Sequence, residues 1–430
     1  MSAMPRASTW AADPRNKLHM AATIGSLPTM KAIMSSESID INQIGPDGWT
    51  PAMIAADRGD SRMVKFLMDN GADMSKQTGD GNTALISSTQ LGRLAVVETL
   101  LTGKVALHAA RIDGFTALHV AASEGHSRVV KALLGAGAKR DSRMPNGATP
   151  LYLASMDGHL GAVRELLRVK ADPLLARATS AREWGIPLDV AAQNGHREVV
   201  GEFIQRLGIR GCGGASSGLE ALRLAARFRR LGIMVMLTDA GVVDTGPALT
   251  CAAAYGSEAA LKFLFQQREL TPAYLDAPDH FNRTPLYCIV SFCSPNSPRM
   301  LRSLIDAGAD ATSAVAVLDD SMWNVASTHT PLALIKLNLR EKKIKGADAT
   351  EAQLHRLEAM HRLLLQLDAV HAVSWLWPGA APVAVLDAES TRKVETISTP
   401  LTLMLPILRR RARRRGVFVA AVFRYNRKKK

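Results

Sequence analysis

A single interval, 33 residues, governs what this chain can fold into. DGWTPAMIAADRGD begins at Asp47, DGNTALISSTQLGR at Asp80, DGFTALHVAASEGH at Asp113 and NGATPLYLASMDGH at Asn146, three successive steps of 33. The segments that follow keep the same step, as in RMVKFLMDNGAD and RVVKALLGAGAK. A chain of 430 residues is longer than one hydrophobic core ordinarily serves. Self-similarity at this period points instead to a stack of small units, each touching only its neighbours.

Each unit has a direct physical reading. Thr50-Pro51 and Thr149-Pro150 place an N-cap hydroxyl before a proline at the first helical position, where the missing N–H costs nothing. A short helix is expected from Leu118 to Glu124, with Ala121 and Ala122 small enough to admit a neighbouring unit. Gly125 then turns the chain through a left-handed conformation that side chains disfavour. A second helix, Ser127 to Leu134, puts Val129, Val130, Leu133 and Leu134 on one face. GAGAKRDSRMPNG reads as an extended hairpin leading to the next unit. One such unit cannot bury its own apolar face, so stacking is obligatory.

The succession Thr-Pro-Leu or Thr-Ala-Leu, Ala-Ala, Gly-His, Val-Val and Leu-Leu resembles the ankyrin repeat, most clearly in the four units from Asp47 to Ala178. The resemblance implies an all-α fold, an α-solenoid of helix-turn-helix repeats with β-hairpin loops. The first-helix leucine position can be followed through Leu18, Ala52, Leu85, Leu118, Leu151, Leu188, Leu222, Leu249, Leu286 and Leu332, which suggests about ten repeats, six of them regular. The connection ADPLLARATSAREWGIP, before the sixth unit, is four residues longer than its counterparts and carries Arg177, Arg182 and Trp184. ATEAQLHRLEAMHRLLLQLDAV, with Leu354, Leu357, Met360, Leu364 and Leu367 on one face, reads as an elongated closing helix. The expected organisation is an N-terminal extension (1–13), regular repeats (14–210), degenerate repeats with elongated closing helices (211–372), an irregular linker or degenerate repeat (373–408) and a basic tail (409–430).

DGFTALHVAASEGH holds two histidines, two carboxylates and two hydroxyls, the makings of a metal or acid/base site. Yet His126, His159 and His196 recur at repeat spacing, whereas a catalytic base is needed once. His19 and His119 match the position at which the family's imidazole bonds to backbone near a hairpin, while His108 falls in hairpin register. Cys212, Cys251, Cys288 and Cys293 form no CxxC pair and read as apolar core thiols. GIRGCGGASSG, residues 208–218, lacks the lysine and preceding strand of a phosphate loop and reads as a flexible inter-repeat loop. No nucleophile, base and oxyanion donors assemble, so the chain does not read as an enzyme, and no cofactor, metal or small-molecule substrate is expected.

What the repeat grammar leaves undetermined is the surface. In the family, hairpin tips and the exposed end of the first helix contact partners, which implies Trp49, Asp57, Arg58, Asn82, Gln90, Phe115, Ser123, Glu124, Met156, Asp157, Gln193 and Asn194 here, together with Trp184 on the long connection. Arg227, Phe228 and Tyr255 continue the series in the later repeats.

The formal charge of +14 sits at the C-terminus: eleven of the 53 lysines and arginines lie from Arg409 onward with no acid among them, so the first 408 residues carry only +3. Arg409, Arg410, Arg411, Arg413, Arg414 and Arg415 form one cluster and Arg427, Lys428, Lys429 and Lys430 another, about an apolar octet from Gly416 to Phe423. Such a layout is compatible with nuclear import, nucleic-acid phosphate contact or an anionic membrane surface. The absence of a signal-like start and of a membrane-length apolar run favours a soluble intracellular protein, cytoplasmic and/or nuclear. The leading expectation is a scaffold or adaptor that holds a protein partner on its concave hairpin and first-helix surface; the alternatives are a nuclear or RNA-associated factor that uses its tail, and a membrane-tethered adaptor.

Overall fold

The computed structural model describes residues 16–36, 39–45, 48–175, 177–178, 184–211, 214–267, 269–279, 282–311, 315–318, 325–329 and 355–365. One compact unit runs from Met1 to His361. Of a second, Arg362–Lys430, only 362–365 are described, and they are helical. The basic tail therefore lies outside the described residues, as do Arg182, Cys212 and the tenth leucine position, Leu332.

The first unit is a solenoid of nine described helix pairs. They are α1 (Lys17–Ile24) with α2 (Leu27–Ser36), α3 (Pro51–Arg58) with α4 (Ser61–Asp69), α5 (Ala84–Gln90) with α6 (Leu94–Leu101), α7 (Ala117–Ser123) with α8 (Ser127–Gly135), and α9 (Pro150–Met156) with α10 (Leu160–Arg168). After a two-stranded ribbon, β1 (Arg177–Ala178) and β2 (Trp184–Gly185), come α11 (Pro187–Asn194) with α12 (Arg197–Gly211), α13 (Gly214–Arg227) with α14 (Leu231–Asp239), and α15 (Pro247–Ala254) with α16 (Glu258–Gln267). A one-turn helix, α17 (Pro272–Leu275), precedes the ninth pair, α18 (Pro285–Phe292) with α19 (Ser297–Asp306). First helices pack on first helices through the whole series, and second on second from α4 onward.

Local chemistry explains the regularity. The hydroxyls of Thr50, Thr83 and Thr149 cap α3, α5 and α9 by accepting from Met53, Ile86 and Tyr152 N–H at 3.1 to 3.3 Å. Leu118, Ala121 and Ala122, then Val129, Val130 and Leu133, are buried, as the apolar periodicity predicts. A buried leucine contributes about 2 kcal/mol, so a lone pair of such short helices cannot offset its own ordering entropy.

Seven residues after the leucine position, every described repeat turns through positive φ, with glycine at seven of the nine positions. The next residue belongs to the contact between repeats. The rings of His126, His159 and His196 lie against Gly92, Gly125 and Gly158 of the preceding repeat, and a Cβ at Gly92 would come within 2.7 Å of the His126 ring. His126 Nε2–H donates to Gln90 O at 3.2 Å and His196 Nε2–H to Met156 O at 2.9 Å, which satisfies carbonyls left open at first-helix ends. In other repeats arginine takes the histidine's place: Arg93 lies against Gly59, and Arg230 against Gly195.

Three departures follow from sequence features. Residues 208–218, expected as a flexible loop, instead hold the end of α12, kinked at Gly208 (φ 63°), and the start of α13; residues 212 and 213 lie outside the described set. The leucine and isoleucine content on either side, with Ala221 and Leu222 fully buried, carries the helices into this glycine-rich stretch. In repeat eight the capping threonine is absent, and the buried carboxylate of Asp244 accepts from Gly246, Ala248 and Leu249 N–H and from Tyr274 Oη–H, all at 3.0 to 3.1 Å. Finally, β3 (Val315–Leu318) pairs antiparallel with β4 (Val325–His329) beyond the ninth pair. At the end of the first unit residues 355–361 are helical and bury Leu357 and Met360, and in the second unit Leu364 is buried; Leu354 and Leu367, also expected on the closing helix, lie outside the described residues.

Candidate interaction surface

Six residues after the leucine position each first helix ends in a residue the core does not use: Ile24, Arg58, Leu91, Glu124, Asp157, Asn194, Phe228, Tyr255 and Phe292. All but the half-buried Asn194 are exposed. The stack of first helices makes them one continuous row, and the residue changes character along it. Ile24, Leu91 and Phe292 were not among the sequence-derived candidates; counting six from each leucine would have found all three.

Several candidates meet. Ser123 Oγ–H donates to Asp157 Oδ2 at 3.0 Å, which joins repeats four and five. Phe115 and Met156, both half-buried, pack on one cluster with Met144, Tyr152, Leu153 and Val190. The Arg111 guanidinium lies 5.8 Å from the Phe115 ring centroid, and His119 meets that ring edge-on. Asn194 Nδ2–H donates to Met156 O at 2.7 Å. Arg58 reaches back to Thr23 O and Ile24 O in the first repeat. Asp57 and Gln90 are half-buried, Glu124 is exposed, and Gln193 O accepts from Arg230 at 3.4 Å. Burial raises the Asp57 pKa, and Arg93 opposes the shift.

Two candidates are corrected. Trp49 is only 4% exposed: it sits under the hairpin between the first two repeats, where its carbonyl accepts from His19 Nε2 at 3.1 Å, so its ring is core. Asn82 is 7% exposed, with its N–H donating to Thr78 Oγ1 at 3.1 Å in the turn before α5. Both precede the capping threonine, where the chain dips beneath the neighbouring hairpin. The Trp184 side chain lies outside the described set; its backbone pairs with Ala178.

The titratable groups with strong shifts are structural. His119 accepts from Thr116 N–H through Nδ1 and donates through Nε2 to Ser142 O at 3.0 Å, and burial lowers its pKa to about 4. Asp189 stands at the same repeat position two units on. It accepts from Ile186 N–H at 3.1 Å, but its other oxygen has no hydrogen-bond partner, and burial pushes its pKa up to about 7. Cys288 is buried with its thiol pushed up to about 12. Among the described residues no three His, Cys, Asp or Glu side chains converge as metal ligands would.

The family model described as Ankyrin repeats (3 copies) matches residues 18–108 and 104–177. Residues 18–177 are ankyrin repeats. No curated protein matches the chain. Past that segment the helix pairs continue with the same left-handed turn and the same stacking of first helix on first helix through the ninth described pair. Ankyrin repeats generally mediate protein–protein interaction. No helix among the described residues is long and apolar enough to cross a membrane.

Proposed function

We propose that the protein is an interaction scaffold or adaptor that holds a segment of a protein partner along the row of first-helix ends and adjoining hairpins. Within the regular repeats Arg58, Phe115, Glu124, Asp157 and Asn194 are the contacts. The observation that carries this reading is the contrast between adjacent positions: one is glycine in seven of nine repeats, while the residue before it varies freely and faces outward in nearly all. An outward row unconstrained by the fold is free to specify a partner. A photo-crosslinking residue at Glu124 or Asp157 should capture a discrete partner that the same residue at Lys131, exposed on the second helix, does not. Equal capture from both faces would refute the reading.

A second reading has its own support in the eleven lysines and arginines of 409–430: the tail adds phosphate contact, to nucleic acid or to anionic lipid. Deletion of Arg409–Lys430 should then abolish a steeply salt-dependent association with one of these. No effect of the deletion on either would end that proposal.

A further inference from the structure

In repeats seven, eight and nine the exposed row becomes aromatic. Phe228, Tyr255 and Phe292 occupy equivalent positions on three successive first helices and are 38%, 44% and 53% exposed. Arginine accompanies them. The Arg227 guanidinium lies 5.3 Å from the Phe228 ring centroid and 5.0 Å from that of Tyr255, and Arg283 lies 5.6 Å from Phe292. Arg229 is exposed and donates to Tyr255 O at 2.8 Å. Over positions five to eight after the leucine these three repeats hold Arg227, Arg229 and Arg230 and no acid. The same positions in repeats four and five hold Glu124 and Asp157 and no lysine or arginine.

Arg229 supplies an independent sign. It sits at φ 59°, where seven of the nine repeats have glycine. Glycine would suit that backbone better, so the side chain is kept at a conformational cost that its bond to Tyr255 O offsets only in part, and a retained unfavourable conformation points to use. Exposed aromatics flanked by arginine are the composition of interface anchors, and the excess of positive charge selects a negative partner.

We infer that the Phe228–Tyr255–Phe292 row docks an extended, carboxylate-rich peptide segment of a protein partner, with apolar side chains at every third residue. The spacing follows from geometry: packed helices lie about 8–10 Å apart, and a chain in the extended polyproline II conformation advances about 3.1 Å per residue with three residues per turn, so every third side chain lies on one face and meets each successive ring. Nucleic acid is the lesser fit, because Arg227 lies against the rings of Phe228 and Tyr255 on which a base would stack. The inference rests on the protein-partner reading and names the partner's chemistry.

Fluorescence anisotropy of the full chain with a labelled synthetic peptide, leucine at every third position and aspartate between, tests it. Saturable binding is expected, weakened at least about ten-fold by Tyr255→Ala, several-fold by Arg229→Gly, and not by Lys131→Ala on the second helix. Substituting lysine for the peptide's aspartates should abolish it. Arg229→Gly relieves an unfavourable backbone but removes the bond to Tyr255 O, so its Tm is read beside binding, and a Tm no lower than that of the parent chain separates lost recognition from lost structure. Absence of saturable binding, equal binding of the lysine peptide, preference for a single-stranded oligonucleotide, or indifference to both Tyr255→Ala and Arg229→Gly would overturn the inference. The crosslinking experiment at Glu124 and Asp157 judges the broader scaffold reading separately, and that reading survives failure here.

Discussion

Repeats three to six and repeats seven to nine use the same backbone with different side-chain solutions at the same positions. In the first group each left-handed turn is glycine, seated against histidine or arginine from the next repeat. In the second, two of the three turns are Arg229 and Cys293, and the following contact residues are Arg230, Ser257 and Ser294. The central group thus follows the pattern that favours the fold, and the later group departs from it where its surface becomes aromatic and basic. Of the two departures Cys293 is buried, whereas Arg229 is exposed beside the aromatic row, and such an exposed departure locates a position free to serve recognition.

The sharpest way to break this comparison is to bring the departure into the regular group. Gly125→Val imposes a β-branched side chain at φ 75° and drives its Cβ into the His159 ring; a loss of about 3 kcal/mol or more is expected, read as a lower urea midpoint. A change below about 1 kcal/mol would show that the seat is not needed.

Proton linkage should next distinguish two repeats within the regular group, the fourth and the sixth. The His119 pKa falls from 6.5 to about 4 on folding, so its contribution is complete above pH 6.5 and is lost as pH falls through about 4. The Asp189 pKa rises from 3.8 to about 7, so its contribution is complete below about pH 3.8 and is lost as pH rises through about 7. Asp189→Asn, which keeps the acceptor for Ile186 N–H, should raise stability at pH 8 by roughly 2 kcal/mol and leave pH 4 nearly unchanged. Urea midpoints at the two pH values decide this, and an equal change at both would refute it.

Smaller effects test the seat itself. His126→Ala removes the bond to Gln90 O and the cover over Gly92, for a loss of about 1 kcal/mol. Arg229→Gly should act in the opposite direction, with a gain of up to about 1 kcal/mol, visible as a slightly higher Tm. A destabilised Arg229→Gly would mean that the side chain supports the fold, which would remove one support of the docking proposal.

The sequence announced the central repeats because short-range rules decide them. Thr149-Pro150 caps a helix, Gly125 turns left-handed, and α7 and α8 fall within a residue of their expected bounds. The histidines could be assigned to structure from recurrence alone, and His119 makes the hairpin contact that the family resemblance implied. What could not be read depends on neighbours distant in sequence. Trp49 and Asn82 are buried by adjoining hairpins, and the helical ends flanking Gly211 follow from burial of residues such as Leu222 that outweighs glycine's poor propensity. The aromatic row was read only in part: Phe292 lies six residues after Leu286 in a degenerate repeat, and carrying the count through that repeat would have found it.

The seat between repeats also bears on how such an array can change its length. The glycine belongs to one unit and the ring that covers it to the next, so a duplicated unit carries a seat for its successor and a ring for its predecessor. Copies inserted among repeats three to six would therefore fit at either boundary without further change. After Arg229 or Cys293 the seat is occupied by a side chain, and an inserted histidine-bearing unit would meet it. Lengthening by duplication is open in the middle of the molecule and closed toward its end, which makes the aromatic row a fixed address however many units precede it.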